Sequence, residues 1–263
     1  MNRSAFLAGG VALGLAACSG GALPPNSASA SNATKYGVAI HPDQTAAGIA
    51  ACGAAVADLD VDLYVLGYVP TVYPFSLYDA WFASVPQSKC LLLLQTPTGA
   101  DWMDITPAQL AAYATAFIDR YPQIPWVEVI NEPNQTTYYP ESGIPQALYA
   151  QYYAAAKAAL PSQLVLGPVT SSYSAGWYTE GITQPYATHG YGQLPPAGSW
   201  MTEQAGDVVG VWEESNKAGM AVSIYYQLAD SPDSPGTGLL DSNYNQRASY
   251  AAAKQFLAQA HAT

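Results

Sequence analysis

Two kinds of hydrophobic pattern alternate along the chain after Lys35. Short apolar runs alternate with longer segments in which apolar residues recur at helical spacing. The clearest strand is the nearly continuous apolar run from Cys90 to Gln95, which is typical of a strand buried on both faces. The clearest helix start is Thr106-Pro107-Ala108-Gln109, with Thr as the N-cap, Pro in the first turn and Gln at the capping-box position. This alternation predicts a parallel sheet whose strands are connected by helices.

The pattern predicts eight strands, with helices between most of them. The strands are expected at Tyr36 to Ile40, Leu63 to Gly67, Cys90 to Gln95, Trp126 to Asn131, Leu164 to Pro168, near Ala187, near Trp200, and at Ala221 to Gln227. The helices are expected at Thr45 to Ala57, Ser76 to Val85, Thr106 to Tyr121, Pro145 to Leu160, Asp207 to Ala218 and Gln246 to Ala260.

Two connections depart from a regular strand–helix repeat. The segment from Ala175 to Gly181 is long enough for at most two helical turns, and residues 190–199 contain two prolines and three glycines that exclude a helix. The sequence therefore predicts the α/β class. We expect a single compact (β/α)8 TIM barrel over residues 35–263, with the fifth helix short and the sixth replaced by a loop.

The first 34 residues have no fold pattern. Met1-Asn2-Arg3 is a short positive segment, and the apolar stretch from Phe6 to Ala17 is too short to span a bilayer as a helix. The stretch ends in Leu15-Ala16-Ala17-Cys18, which resembles a bacterial lipobox and implies a signal peptide over 1–17 and lipidation of Cys18. An ordinary secretory peptide cut nearby is the alternative. Residues 18–34 are rich in Ser, Ala and Pro, as in a flexible tether.

This N-terminus indicates a lipid-anchored domain in the cell envelope or periplasm, or alternatively a secreted one. We expect contact with a membrane only through the anchor, and a monomer. The formal charge of −11, with only eight Lys plus Arg, argues against binding to nucleic acid. The three His are scattered and no Cys-x-x-Cys occurs, so no metal and no cofactor is expected. Cys52 and Cys90 either pair with each other or are buried separately.

Two predicted strands end in glutamate. The run from Trp126 to Pro133 is apolar until it reaches Asn131-Glu132-Pro133, so Glu132 is expected at the rim of the sheet, where parallel barrels carry their chemistry. The run Ser199 to Gly206 likewise ends its apolar part at Glu203, before small and polar turn residues. Hydrolysis of a glycosidic bond needs two such carboxylates, one protonated and one ionised, about 5 Å apart in retaining enzymes.

These motifs resemble those of clan A retaining glycoside hydrolases, which include cellulase-like and β-xylosidase-like barrels. The resemblance rests on Asn131-Glu132-Pro133, on His189-Gly190-Tyr191 and on Glu203, in this order. It implies that Glu132 is the general acid/base and Glu203 the nucleophile. It also implies that Asn131 hydrogen bonds the sugar hydroxyl next to the anomeric carbon, that Tyr191 orients Glu203, and that His189 lines the site.

Some features depart from that family pattern. No Arg stands near the end of the second strand, so neutral groups such as His41 and Tyr68 are expected to take its place. Tyr225 stands in the eighth strand, where the family often has Trp. Trp102 belongs to a set of loop aromatic residues that we expect to stack on sugars. Glu128 lies four residues before Glu132 on the same side of the strand, and is expected deeper in the barrel with a structural partner.

The leading hypothesis is a glycosidase that hydrolyses O-glycosyl bonds of a β-linked polysaccharide or oligosaccharide by double displacement, acting within the chain. A transglycosylase that uses the same residues is one alternative, and a non-catalytic glycan-binding lipoprotein is another. The intact pair of Glu132 and Glu203 argues against the last. The sequence does not identify the sugar, because substrate-binding loops vary freely on this fold.

Overall fold

The computed structural model describes residues 33–41, 45–97, 104–139, 143–177, 182, 185–191, 194–231 and 234–262. The predicted signal peptide and Cys18, nearly all of the predicted tether, and Trp102 lie outside these residues. Within the described part of the chain, no helix is long and apolar enough to cross a membrane.

Eight strands form one sheet in which all paired neighbours are parallel. The strands are β1 (Lys35–Ile40), β2 (Leu63–Tyr68), β3 (Cys90–Leu94), β4 (Trp126–Val129), β5 (Leu164–Leu166), β6 (Ala187–His189), β7 (Trp200–Gln204) and β8 (Val222–Tyr225). Their order in the sheet is β5-β4-β3-β2-β1-β8-β7-β6. The sheet therefore winds around so that its two ends, β5 and β6, come next to each other.

Threonine side chains join these two ends. Beyond β5, Thr170 forms a parallel bridge with Thr188 of β6. The amide of His189 donates to the carbonyl of Thr170 at 2.8 Å, and the Thr188 hydroxyl donates to the same carbonyl at 2.9 Å. The sheet is thus a nearly closed eight-stranded barrel, and the predicted fold class is confirmed.

Six α-helices surround the barrel in the described residues. They are α1 (Ala46–Leu59), α2 (Phe75–Ser84), α3 (Pro107–Arg120), α4 (Gln146–Ala159), α5 (Val208–Lys217) and α6 (Ala248–Ala260). The predicted capping box at the start of α3 is present, because the Thr106 side chain accepts from the Gln109 amide while the Gln109 side chain accepts from the Thr106 amide. Two short 3-10 turns, Gln87–Lys89 and Ala175–Trp177, are also described.

The two irregular connections contain little helix where they are described. Of the segment 175–181, the 3-10 turn Ala175–Trp177 is described and the rest lies outside the described residues. Trp177 is buried there and packs against Tyr149 of α4. Between β6 and β7, residues 190–191 and 194–199 form bends and a turn.

The core has two layers. One layer lies inside the barrel and includes Leu63, Val65, Val222, Ile224 and Trp200. The other fills the space between the strands and the surrounding helices, and contains most of the buried aromatic residues. Because both faces of each strand are buried, alternate residues of a strand belong to different layers. Side chains at the carboxyl end of the inner layer line the mouth of the barrel.

The two cysteines that the structure describes are separately buried and free. Cys52 lies in α1 and Cys90 begins β3. Burial raises the pKa of the Cys52 thiol to about 12, so this thiol is not reactive at neutral pH. Of the two alternatives left open by the sequence, the structure supports separate burial.

Candidate active site

The carboxyl ends of β4, β6 and β7 bring Glu132, His189 and Glu203 together. Nδ1 of His189 lies 2.8 Å from Oε1 of Glu132 and 3.7 Å from Oε1 of Glu203. One carboxylate oxygen of each glutamate lies within 4.8 Å of the other glutamate and of the imidazole. Glu132 and His189 are buried, whereas the Glu203 side chain is 16% exposed. The two glutamates therefore face each other across the mouth of the barrel, with the imidazole between them.

Glu132 is delivered by a stretch of backbone that leaves strand geometry. Regular β4 ends at Val129, two residues earlier than the sequence predicts, because Ile130 and Glu132 adopt left-handed conformations with φ of 59° and 43°. Such values are unfavourable for a β-branched residue such as Ile. The ladder continues around them, since the Ile130 amide donates to Leu94 at 2.8 Å and the Glu132 amide to Val169 at 2.7 Å.

The side chain of Gln95, directly after β3, holds Asn131, which lies between the left-handed residues Ile130 and Glu132. Oε1 of Gln95 accepts from the Asn131 amide at 2.6 Å. Nε2 of Gln95 donates to the Tyr139 hydroxyl at 3.3 Å, and that hydroxyl donates to the Asn131 carbonyl at 3.0 Å. The Asn131 backbone is therefore satisfied on both sides. Its side-chain Oδ1 is buried without a hydrogen-bond partner among the described residues.

The two residues after β6, Gly190 and Tyr191, orient Glu203. The Tyr191 hydroxyl donates to Oε1 of Glu203 at 2.8 Å, and the Gly190 amide donates to the Glu203 carbonyl at 2.8 Å. A Cβ at Gly190 would lie 2.5 Å from the side chains of both Gln204 and Met201, so glycine is required for this close approach. The Tyr191 residue is nevertheless 48% exposed, which leaves part of its ring at the surface of the cleft.

Burial and charge act in opposite directions on these groups. Burial alone would lower the pKa of His189, but the carboxylates of Glu203 and Glu132 outweigh it and raise that pKa to about 9. The imidazole is therefore a cation at neutral pH. Burial raises the pKa of Glu203, and the nearby carboxylate of Glu132 adds to this, while His189 and the Tyr191 hydroxyl oppose it. The protons of such an interacting cluster belong to the group as a whole rather than to single residues.

A third carboxyl lies beneath the pair. Glu128 is 1% exposed, and its Oε2 has no hydrogen-bond partner in the described part of the chain. Burial raises the pKa of Glu128 to about 8, although His189 and Thr202 lower it. The expectation that Glu128 lies deeper in the barrel than Glu132 is met. The sequence also led us to expect a structural partner for this carboxyl, and for its Oε2 none is found among the described residues.

Two predicted substrate-binding residues are placed elsewhere. Tyr68 packs against Phe117 and Tyr78 in the layer between barrel and helices, 3% exposed. The Tyr225 hydroxyl lies within hydrogen-bond distance of the carbonyls of Gly206 (3.1 Å) and Thr237 (3.0 Å), on the outer side of β8. The prediction that Tyr68 and Tyr225 line the cleft is wrong, because each lies at a strand position whose side chain points outward.

Tyr226, next to Tyr225, belongs to the inner layer instead. Its hydroxyl is 2.9 Å from Nε2 of His41, the residue that directly follows β1. Tyr226 was not among the predicted site residues. Gln95 was also missed, although a polar residue directly after a continuous apolar strand is a signal for a rim position. Tyr138 is a further neighbour of the two glutamates. Burial is the largest cause of the raised pKa of its hydroxyl, and the carboxylates of Glu132 and Glu203 raise that pKa further.

The same cluster also has the residue types of a metal site. Among the described residues, Glu132, His189 and Glu203 are the group with suitable ligand atoms at suitable spacing. Nδ1 of His189 and Oε1 of Glu132, however, already share a hydrogen bond at 2.8 Å. A metal ion would have to displace that proton. The arrangement is thus organised for holding and moving a proton.

No protein-family model and no curated protein sequence matches this chain. Solved structures do match. A glycoside hydrolase family 30 subfamily 8 xylanase from Clostridium acetobutylicum has a TM-score of 0.65 at 13% identity, over 86% of this chain and 72% of that one. A family 5 subfamily 18 glycoside hydrolase from Streptomyces cattleya, solved with GlcNAc, has a TM-score of 0.62 at 13% identity, over 88% and 81%.

An endo-β-1,6-glucanase has a TM-score of 0.59 at 12% identity, over 86% of this chain and 76% of that one. These likenesses show that the chain has the barrel fold seen in these glycoside hydrolases. At such low identity they show the fold alone.

Proposed function

We propose that this protein is a retaining glycoside hydrolase that cleaves β-linked glycans by double displacement, with Glu203 as nucleophile and Glu132 as acid/base. The observation that carries the proposal is the approach of these two carboxylates to within 4.8 Å at the mouth of a barrel. Retaining enzymes need about 5 Å, whereas inverting enzymes need a wider gap that admits a water molecule.

The hydrogen bonds support this division of roles. Tyr191 occupies Oε1 of Glu203 and orients the carboxylate, which leaves the other oxygen to attack the anomeric carbon. Glu132 shares a proton with His189 through their 2.8 Å contact. In the first step, a new bond forms from Glu203 to the anomeric carbon as the glycosidic bond breaks, and Glu132 gives its proton to the leaving oxygen. In the second, Glu132 takes a proton from water, whose oxygen displaces Glu203.

The cationic imidazole explains how the cluster handles this proton. His189 is charged at neutral pH, because the two carboxylates raise its pKa to about 9. It can therefore pass its proton to Glu132 across their hydrogen bond before the first step, for transfer to the leaving oxygen, and take up through Glu132 the proton that water releases in the second step. Asn131 directly precedes Glu132, and we assign its Oδ1, which has no hydrogen-bond partner among the described residues, the role of accepting from a sugar hydroxyl next to the anomeric carbon.

The proposal is tested by assaying the protein on β-glucans, mannans and xylans, with products separated by size. New reducing ends from wild type, and none from Glu203→Gln, are expected. Glu213→Gln, on the exposed face of α5, is the matched control and should keep full activity. Longer products without new reducing ends would favour transglycosylation on the same residues. Binding without turnover by wild type would contradict catalysis and favour the glycan-binding alternative.

A further inference from the structure

Nearly all cationic side chains lie away from the mouth of the barrel. The sequence has eight Lys plus Arg, and every one after Arg3 is described. Five of them are at strand starts or helix ends, which form the amino-terminal face of the barrel: Lys35, Lys89, Arg120, Lys157 and Lys217. The catalytic carboxylates lie at the opposite, carboxyl-terminal face. These five cations are therefore remote from any bound substrate.

The same cations have partners where they lie. Lys89 pairs with Asp60 at 3.1 Å, Arg120 with Asp79 at 2.7 Å and Lys217 with Glu213 at 3.6 Å. Lys35 and Lys157 lie over the rings of Trp126 and Tyr153. Lys254, on α6, pairs with Asp58 near the end of α1 at 2.6 Å. None of these pairings directs a cation toward the site.

Arg247 is the exception, because it begins α6 on the carboxyl-terminal face. Its Nη2 lies 2.5 Å from Oδ2 of Asp230, whose side chain is 5% exposed. The Asp230 carboxylate also accepts from the amides of Gly236 and Gly238 at 3.0 and 2.8 Å. The guanidinium therefore neutralises a buried carboxylate that fixes the loop after β8.

The site itself is rich in carboxyl groups. Glu128, Glu132 and Glu203 surround a single cationic imidazole, His189, which is 1% exposed and already engaged by the two upper carboxylates. His41 is the other imidazole at this face, and it contacts the Tyr226 hydroxyl.

The undescribed segments after the strands add no cation. They contain no Lys or Arg. Their ionisable side chains other than Tyr are all acidic: Asp43, Asp101, Glu141, Glu180 and Asp233.

From this distribution we infer that the site takes uncharged glycans and rejects sugars that carry a carboxylate or sulfate next to the scissile bond. The inference rests on the proposed glycosidase function and adds the class of substrate. An anionic sugar needs a cation or several oriented donors to replace its lost hydration. Here it would instead meet the Glu203 carboxylate, while the His189 cation is buried and already engaged by Glu132 and Glu203. Repulsion between unit charges about 6 Å apart, at an effective dielectric constant of about 20, corresponds to a loss of about 100-fold in kcat/KM.

The experiment compares matched neutral and anionic polymers. The neutral β-glycan that the enzyme cleaves best is oxidised at its primary alcohols to give the carboxylated form of the same chain. For a xylan, the unsubstituted polymer is compared with the glucuronic-acid-substituted one. We expect kcat/KM on the anionic form to be about 100-fold lower at low salt and to recover partly at high salt, because salt screens the repulsion. Rates that are equal, or higher on the anionic form, would overturn the inference.

A cation added at the mouth should relax the discrimination. Ser172 follows Ser171, which hydrogen bonds Asn134 two residues beyond Glu132. Ser172→Lys should raise the relative rate on the anionic polymer at least about tenfold. Ser162→Lys, in the exposed turn before β5 at the other end of the barrel, is the matched control and should leave the ratio unchanged. An identical response of both variants would count against a charge effect local to the site.

Two further measurements keep the outcomes separate. Repeating the comparison at about pH 5.5 and about pH 7.5 shows whether the preference for the neutral polymer changes with the protonation of the site. Better cleavage of the anionic polymer at the lower pH alone would contradict the inference. If neither polymer is hydrolysed, the proposed function fails. Affinity electrophoresis then tests the inference separately, because it measures how strongly each polymer in the gel retards the protein. Stronger retardation by the neutral polymer supports it, and equal or stronger retardation by the anionic polymer overturns it.

Discussion

Replacing Glu128 with Gln tests whether the carboxyl beneath the catalytic pair is held neutral inside the barrel. Burial raises the pKa of this carboxyl from 4.5 to about 8, against the influence of His189 and Thr202. A group that binds its proton more tightly in the folded state makes the protein less stable as the pH rises between the two pKa values. The wild-type protein should therefore lose stability over this interval. Glutamine does not titrate, so the variant should lack that loss.

The size of the effect follows from the interval. Each pH unit between the two pKa values corresponds to about 1.4 kcal/mol. From about pH 5 to about pH 8, the free energy of unfolding of Glu128→Gln should therefore rise relative to wild type by roughly 3 kcal/mol. The amide also buries new donors, at a cost of about 1–3 kcal/mol. That cost does not vary with pH, so the prediction concerns the slope of the difference.

Urea unfolding at four pH values between about 5 and 8 measures that slope. Glu214→Gln, at an exposed position on α5, is the matched control, and its difference from wild type should be constant with pH. Parallel stability curves for wild type and Glu128→Gln would refute the reasoning, because they would show that the buried carboxyl does not change its protonation on folding.

Four other variants address the site. Tyr191→Phe removes a hydrogen bond to a charged carboxylate, worth about 1.5–3 kcal/mol, so kcat/KM should fall about 10- to 100-fold. Since the hydroxyl lowers the pKa of Glu203, the acid limb of the pH–rate profile should also move to higher pH, and an unmoved limb would count against this contact. Gln95→Leu leaves the buried Asn131 amide unpaired. We expect kcat to fall about tenfold with little change in KM, and the free energy of unfolding to fall by about 1–3 kcal/mol. An unchanged kcat would show that Gln95 does not position Asn131 and Glu132. Glu203→Ala should lose turnover on every substrate and regain some with azide, whereas Glu132→Ala should keep activity on aryl glycosides with good leaving groups, which need no proton donor. Equal and complete loss on all substrates in both variants would contradict their assigned roles.

The barrel and its two glutamates were predictable because each depends on a local pattern. Continuous apolar runs alternate with helical ones, and a strand that ends at Glu132-Pro133 must present its glutamate at the rim. The capping box at Thr106 and Gln109 was predictable for the same reason, since all of its atoms lie within one turn.

The direction in which side chains point was harder to predict. In a barrel both faces of a strand are buried. The alternation of polar and apolar residues therefore does not show which side chains point into the barrel and which point toward the helices. Tyr225 and Tyr226 are both aromatic and buried, yet Tyr225 packs outside and Tyr226 inside. Tyr68 was misplaced for the same reason. The early end of β4 was not predictable either, because a left-handed conformation at Ile130 opposes the usual preference of that residue.

The configuration of the first-formed product tests the central claim most directly. Hydrolysis of a β-linked substrate is followed by proton NMR from the first minutes, before the free sugar equilibrates between its two anomers. With Glu203 as nucleophile and the carboxylates within 4.8 Å, two successive displacements should release the β-anomer first. An α-anomer as the first product would mean a single displacement by water and would contradict the account.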